Sequence, residues 1–343
     1  MAIVTICLQE DYASGLLMKK LILATFLLVG VAGRLRADRD SAAQQLLMNA
    51  EQQANVLRRD SGPLQLEIDF VVQMQVPMKG HLTLKWEAED RWWRRIVVGT
   101  FQQTDIRSGE KLYTSRNAPF TPIRIAELIG LLEFAEHPEN LRVKKQKQHF
   151  EHGVEIICLH ARRENLRSEV HRICVNAVSN EILSEEWDEA PDERRRQQFS
   201  DYVGFRAHRF PRQLELFIDG IKEITAHVNS LTTASLEETL LTPPPGAIER
   251  RQCADLKRAV PVKTPEPMYP KSASQNGLMG DTSVSMTVFT NGTVGEIQVI
   301  GTATHSIDDA TLQTLRGWRF KPAMCGAEPV VSDIQVVVSF RLR

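Results

Sequence analysis

The sequence has no surplus of charge of either sign: 42 Lys and Arg stand against 43 Asp and Glu, for a formal net charge of -1. That balance excludes the bulk electrostatic attraction on which basic nucleic-acid-binding or uniformly membrane-adherent proteins depend. The motifs of common catalysis are also missing. There is no G-x-S-x-G nucleophile elbow, no H-E-x-x-H and no glycine-rich phosphate loop. No internal repeat or low-complexity tract interrupts the chain. No uncharged apolar run reaches the ~20 residues that cross a bilayer.

What is present is ordinary globular material, 343 residues at 42% hydrophobic and 25% charged, which favours two folded domains over one. Near the start, Met18-Lys19-Lys20 precedes the apolar run Leu21 to Gly33, the form of a secretory signal with cleavage after Gly33 or, preferably, Ala37. Glu10 and Asp11 are unusual before such a signal, which points to Met18 as the start; an uncleaved N-terminal anchor is the alternative. No Cys follows the run, so no lipid anchor is implied. Export to an oxidising compartment permits disulfides. Cys7 would leave with residues 1–37, and Cys158, Cys174, Cys253 and Cys325 remain.

Residues 38–235 read as a β-rich domain. A helix is expected over residues 39–61, capped by Asp40 or Ser41 and ended by Gly62-Pro63. In "LQLEIDFVVQMQV" the apolar set Leu64, Leu66, Ile68, Phe70, Val72, Met74 and Val76 has one parity, which predicts a long strand with one buried face. Pro77 to Gly80 is expected to turn the chain, "HLTLKWEA" and "RWWRRIVVGTFQQTDI" continue the meander, and Ile125, Leu128, Ile129 and Leu132 mark a short helix. Strand patterns resume at residues 141–150, 153–161, 168–178, 181–188, 205–218 and 222–231. Residues 236–252, with Pro243-Pro244-Pro245-Gly246, read as a short stiff linker.

Residues 253–343 give strand, strand, helix, strand. Asn291-Gly292 signals a hairpin. "SIDDATLQTLRGW" is a helix with Ser306 as its N-cap, and "SDIQVVVSFRL" alternates Ile334, Val336, Val338, Phe340 and Leu342. The fold class is α+β: an open antiparallel half-barrel with helices, then a small ββαβ domain.

The candidate sites weigh differently. Cys158 and Cys174 lie on successive strands centred on Leu166, which favours a cross-strand disulfide; two buried thiols are the alternative. Zinc with His160 and His171 is disfavoured because His171 faces away from Cys174. A Cys253–Cys325 bridge would pin the incoming segment to the loop after the helix. His149 and His152 are best read as solvated side chains beside a basic run. Trp92-Trp93 and Trp318-Arg319-Phe320-Lys321 could stack on bases, but packing explains them better in an exported protein. No metal, cofactor or nucleic acid is expected, and no enzyme activity.

"PEPMYPKSASQNGLMG" (Pro267, Tyr269, Pro270, Ala273, Gly277, Gly280), the Asn291-Gly292 hairpin, "IDDATLQTLRGWRFKPA" and "PVVSDIQVVVSFRL" together resemble the C-terminal domain of TonB proteins over residues 264–343. Tyr269-Pro270 and the Trp318, Phe320, Pro322 corner are the most telling residues. The resemblance implies a periplasmic domain that takes an extended peptide, the TonB box of an outer-membrane transporter, as an added strand on Ile334, Gln335, Val336, Val337, Val338, Ser339 and Phe340. TonB transducers also carry a membrane anchor and a long Pro-rich spacer; this chain has only the short "PPPG". The first domain resembles the LolA-type lipoprotein carriers. That implies a concavity whose lining would include Ile68, Phe70, Val72, Trp86 and Leu128, holding a lipid or other apolar ligand, or else forming plain core.

Overall fold

The computed structural model describes residues 2–5, 32–74, 76–132, 141–163, 170–190, 193–251, 253 and 255–342. The elements are β1 (Ala2–Thr5), α1 (Ala32–Ala54), β2 (Leu64–Gln73), β3 (Pro77–Ala88), β4 (Arg91–Val98), β5 (Phe101–Ser108), β6 (Lys111–Arg116) and α2 (Ile123–Leu132). Then come β7 (Leu141–Glu151), β8 (Val154–Arg163), β9 (Val170–Asn176), β10 (Ile182–Ala190), β11 (Glu193–Phe205), β12 (His208–Ile218) and β13 (Ile221–Thr232). The remainder is β14 (Ile248–Arg251), β15 (Val260–Lys263), α3 (Lys271–Gln275), β16 (Gly280–Val288), β17 (Val294–Gly301), α4 (His305–Leu315), β18 (Arg319–Lys321), β19 (Ala323–Cys325), β20 (Glu328–Val330) and β21 (Ser332–Phe340).

Two compact units are present: an N-terminal unit of residues 21–102 and 122–240, and a C-terminal unit of residues 1–20, 103–121 and 241–343. In the N-terminal unit the strands follow the order β4-β3-β2-β13-β12-β11-β10-β9-β8-β7, an open antiparallel sheet. Its buried face is the one-parity set of β2, with Leu64, Leu66, Ile68, Phe70 and Val72 at 0–2% exposure. These pack with Ala43, Leu47, Ala50 and Ala54 of α1 and with Ile125, Leu128, Leu131 and Leu132 of α2 in one core. Ion pairs hold α2 at the sheet: Arg124 lies 3.0 Å from Glu223, and Arg195 lies 3.2 Å from Glu127.

The alternation of β2 stops at Val72, and Met74 and Val76 are exposed at the hairpin tip. Pro77 to Gly80 are therefore already strand, not turn. Gly80 serves another purpose, since it lies opposite Phe70, and a Cβ there would stand 2.2 Å from the Phe70 ring. Helix α1 begins at Ala32, so neither Asp40 nor Ser41 is its cap. Residues 21–31 of the signal-like run lie outside the described residues, as does Cys7. Among the described residues no helix is long and apolar enough to cross a membrane.

The solvent face of the same sheet carries a polar row. Asp69 stands opposite both His227 and His81 on its neighbouring strands. The His81 ring sits 2.7 Å from Asp69 Oδ1 through Nδ1 and 2.7 Å from Glu67 Oε2 through Nε2, so both nitrogens donate only when the imidazole is protonated. Partial burial pulls the His81 pKa down, but hydrogen bonds to Asp69 and Glu67 outweigh it and raise the pKa above its usual value. The stabilisation is fully present below the unfolded-state pKa of about 6.5 and is lost as pH rises through the folded value. The His81 titration midpoint, followed by its ring-proton NMR shifts, is expected above that of an exposed histidine. Asp69→Asn should bring it back down.

Candidate functional site

The C-terminal unit holds the sheet β1-β21-β16-β17 and the short ladder β14-β6-β5. On β21 the alternation expected from sequence buries Ile334, Val336, Val338 and Phe340, and leaves Gln335, Val337 and Ser339 half-buried; the strand ends at Phe340, so Leu342, expected on the same face, is exposed. Strand β16 pairs with β21 along its full length, from Gly280 opposite Phe340 to Val288 opposite Ser332. Beneath lie Trp318, Phe320, Leu315, Val284, Met286 and Val288, which form a core with Ile334 and Val336.

Helix α4 begins at His305, with Thr304 rather than Ser306 as its N-cap. A carboxylate four residues into the helix explains the shift. Asp308 is buried and accepts from Thr282 Oγ1 at 2.6 Å, from the Ala303 amide at 3.1 Å and from the Thr302 hydroxyl. It thus ties the helix start to β16, where the helix dipole favours a negative charge.

The corner after α4 is structural. Trp318 is fully buried, and its indole N–H donates to the Pro265 carbonyl at 3.1 Å. The Phe320 amide donates to the Gly292 carbonyl at 2.9 Å. Gly292 has φ 77°, and a Cβ there would fall 2.0 Å from the Phe320 oxygen, so only glycine fits this approach. Pro322 separates β18 from β19. At the other end of the unit, the Tyr269 hydroxyl donates to the Leu278 carbonyl and its ring meets Phe340 edge-on at 5.4 Å. Pro270 opens α3. Tyr269-Pro270 therefore latches the incoming segment onto the end of β21.

Both expected disulfides are present, Cys158–Cys174 and Cys253–Cys325. Cys158 and Cys174 stand directly opposite one another on the face of β8 and β9 turned away from the main core, buried in a small separate cluster with Ile156 and Leu183. His171 lies on the other face, its ring 2.7 Å from Glu185 and stacked on Trp187 at 5.7 Å. Trp92 packs against the main core opposite Trp86. The five side chains named as a ligand lining (Ile68, Phe70, Val72, Trp86 and Leu128) all sit inside that core at 3% exposure or less. Among the described residues no group of His, Cys, Asp and Glu is placed to hold a metal ion.

Sequence reasoning missed an ion cluster at the base of β21. Arg250 holds Asp333 with two contacts, at 2.8 and 3.1 Å, and reaches Glu296 at 3.2 Å, while Arg116 also pairs with Glu296. The Thr287 hydroxyl lies 2.6 Å from Asp333 Oδ1. Burial works against the Arg250 charge, but Asp333 and Glu296 outweigh it and push its pKa up. Glu296 adopts φ 48°, a left-handed conformation costly for a non-glycine residue, held by the two guanidinium groups. The five residues come from five strands, so no local motif could announce them. A nearby cavity of about 290 Å³, lined by Ile248, Phe289 and Val330, has Arg251 neutralised by Glu249 and Glu328 on its wall.

The outer edge of β21 is not bare. Strand β1 pairs with it antiparallel, with Ala2 opposite Phe340, Ile3 opposite Ser339, Val4 opposite Val338 and Thr5 opposite Val337. The described chain thus already carries an added strand at the edge named from sequence.

Comparison with curated proteins finds no match. Among solved structures, a putative outer membrane lipoprotein-sorting protein domain from Vibrio parahaemolyticus is similar at 10% identity and TM-score 0.44, covering 59% of this chain and 97% of that one. A LolA superfamily protein from Nitrosomonas europaea is similar at 7% identity and TM-score 0.41, covering 57% and 97%. The TonB C-terminal domain of Pseudomonas aeruginosa is similar at 26% identity and TM-score 0.23, covering 26% and 89%. Residues 265–342 match the family model of the Gram-negative bacterial TonB protein C-terminal, which bears out the resemblance carried by Tyr269-Pro270, the Asn291-Gly292 hairpin and the Trp318 corner.

Proposed function

We propose that the chain is a periplasmic binding protein of the cell envelope, whose C-terminal unit receives an extended peptide by antiparallel strand addition along Ile334–Phe340. The family match supports an envelope-associated role. The observation that carries the finer reading is the pairing of Ala2–Thr5 with Val337–Phe340, because it presents the outer edge of β21 as a seat for one more strand. Main-chain hydrogen bonds would supply affinity, and the side chains on alternate faces of the added strand would supply selectivity. The resemblance to TonB proteins makes a segment of an outer-membrane transporter, or of another envelope protein, the partner.

Strand β1 would then compete with the partner. It is tethered, so its effective concentration is high and a free peptide must displace it. A chain beginning at Met18 is expected to bind a TonB-box peptide at least ~10-fold more tightly than the full chain, as measured by calorimetry or fluorescence anisotropy. Equal affinity for the two chains would remove β1 from the seat, and no binding by either at millimolar peptide would remove the seat itself.

A further inference from the structure

The near-zero net charge conceals a local imbalance in the N-terminal unit. Along β7 the stretch "LRVKKQKQHFE", Leu141 to Glu151, holds Arg142, Lys144, Lys145 and Lys147 against a single acid, Glu151 at its end. The strand begins conventionally. Leu141 and Val143 are buried, and the Gln44 side chain of α1 grips them, donating to the Leu141 carbonyl at 2.8 Å and accepting from the Val143 amide at 3.0 Å. From Lys144 to Glu151 every residue is exposed, whichever face it is on. A strand over a core alternates; one exposed on both faces has left the core. Strand β8 stays buried or half-buried from Ile156 to Ala161 and pairs with β9 as far as Ile156, so β7 is an exposed edge and only the tip, Phe150 to Glu155, extends beyond the sheet.

The register sorts its charges. Lys145, His160 and Arg172 form one row across β7, β8 and β9, and Lys147, Cys158 and Cys174 form the next on the same face. The Cys158–Cys174 bridge ties the hairpin to β9 at this level. Arg172 is paired with Glu186, whereas Lys144, Lys145 and Lys147 have no acidic partner among the described residues. Their field is felt locally: burial first, then Lys147, Lys145 and Arg172, push the His160 pKa down. At the tip, on either side of the His152-Gly153 turn, Phe150 is 72% exposed and Val154 is 40% exposed.

Lysines on an edge strand are a common guard against edge-to-edge pairing. A guard has no use for an aromatic ring held out in water at the tip. Cations along a shaft and apolar groups at its end fit the boundary of an anionic bilayer, where phosphates lie above the acyl chains. An acidic polypeptide would meet the lysines but would leave Phe150 and Val154 without a partner. We propose that the β7–β8 hairpin docks on an anionic lipid surface, with Phe150 and Val154 entering the interface and Lys144, Lys145 and Lys147 against lipid phosphates.

The test is co-sedimentation of the full chain with vesicles of phosphatidylcholine alone, or mixed with phosphatidylglycerol in about a 3:1 ratio. Binding is expected to the mixed vesicles and to weaken with added salt. The triple variant Lys144→Gln, Lys145→Gln, Lys147→Gln should bind at least ~10-fold more weakly, and Phe150→Ser roughly 5-fold more weakly. Both should keep the parent urea midpoint, because the replaced side chains are exposed. Lys271→Gln on α3 should change nothing. Equal binding to both vesicle types, undiminished binding by the triple variant, or a preference for soluble polyglutamate over the mixed vesicles would overturn the proposal.

Discussion

Trp318→Ala is expected to destabilise the C-terminal unit by about 3–5 kcal/mol. The indole is fully buried among Leu315, Phe320, Ile334 and Val336, with its centroid 6.1 Å from that of Phe320. Truncation would leave a cavity bounded by strands that are themselves held in ladders, so the walls have little freedom to collapse. It would also leave the Pro265 carbonyl without its donor. A loss of this size is a large part of the stability of any single domain. The unit should therefore unfold in a separate, earlier transition on heating or in urea. Trp318→Phe should recover most of the loss. A shift below about 1 kcal/mol for Trp318→Ala would mean that this corner does not organise the sheet.

The second large effect is the removal of Cys253–Cys325 by paired serine substitutions. The bridge closes a loop of sequence separation 72, against 16 for Cys158–Cys174. The chain-entropy argument gives about 4 kcal/mol for the longer loop and about 3 kcal/mol for the shorter. Urea midpoints of the two double variants should fall in that order. The reverse order would mean that the bridge at the hairpin base, rather than the unfolded-state loop, dominates.

Period and loop chemistry make much of this fold legible in the sequence. Strand β2 shows its buried face because its apolar residues share one parity, and Cys158 pairs with Cys174 as expected because the two are equidistant from Leu166. Where sequence reasoning missed, the deciding interaction was non-local. Gly80 looked like a turn residue, but it is small because the Phe70 ring lies across it. Strands β6 and β11 carry no alternating apolar pattern that announces them. In β11 only Phe199 and Phe205 are buried, and pairing with both neighbours sets its conformation. Cross-strand contacts assist, with Arg194 3.2 Å from Asp188 and Arg196 over the Phe217 ring at 4.5 Å. Ser306 looked like a cap, yet Asp308 fixes the helix start through groups on β16 and the preceding loop.

The same division applies to the candidate site. The seven residues of β21 could be named from alternation and family resemblance, and the corner residues from their motif. The Arg250, Glu296 and Asp333 cluster could not, nor could the arrival of Ala2–Thr5 at the outer edge. Both arise from segments far apart in the chain. Asp333 immediately precedes Ile334, so the cluster anchors the N-terminal end of the proposed edge while Tyr269 on Phe340 anchors its C-terminal end.

Backbone amide exchange of Ile334–Phe340, followed by NMR in a chain beginning at Met18, is the most direct measurement of strand addition. A TonB-box peptide is expected to slow exchange at alternate amides of this stretch, because every second N–H in an antiparallel pair points to the added strand. Unchanged exchange at all seven positions under millimolar peptide would contradict it.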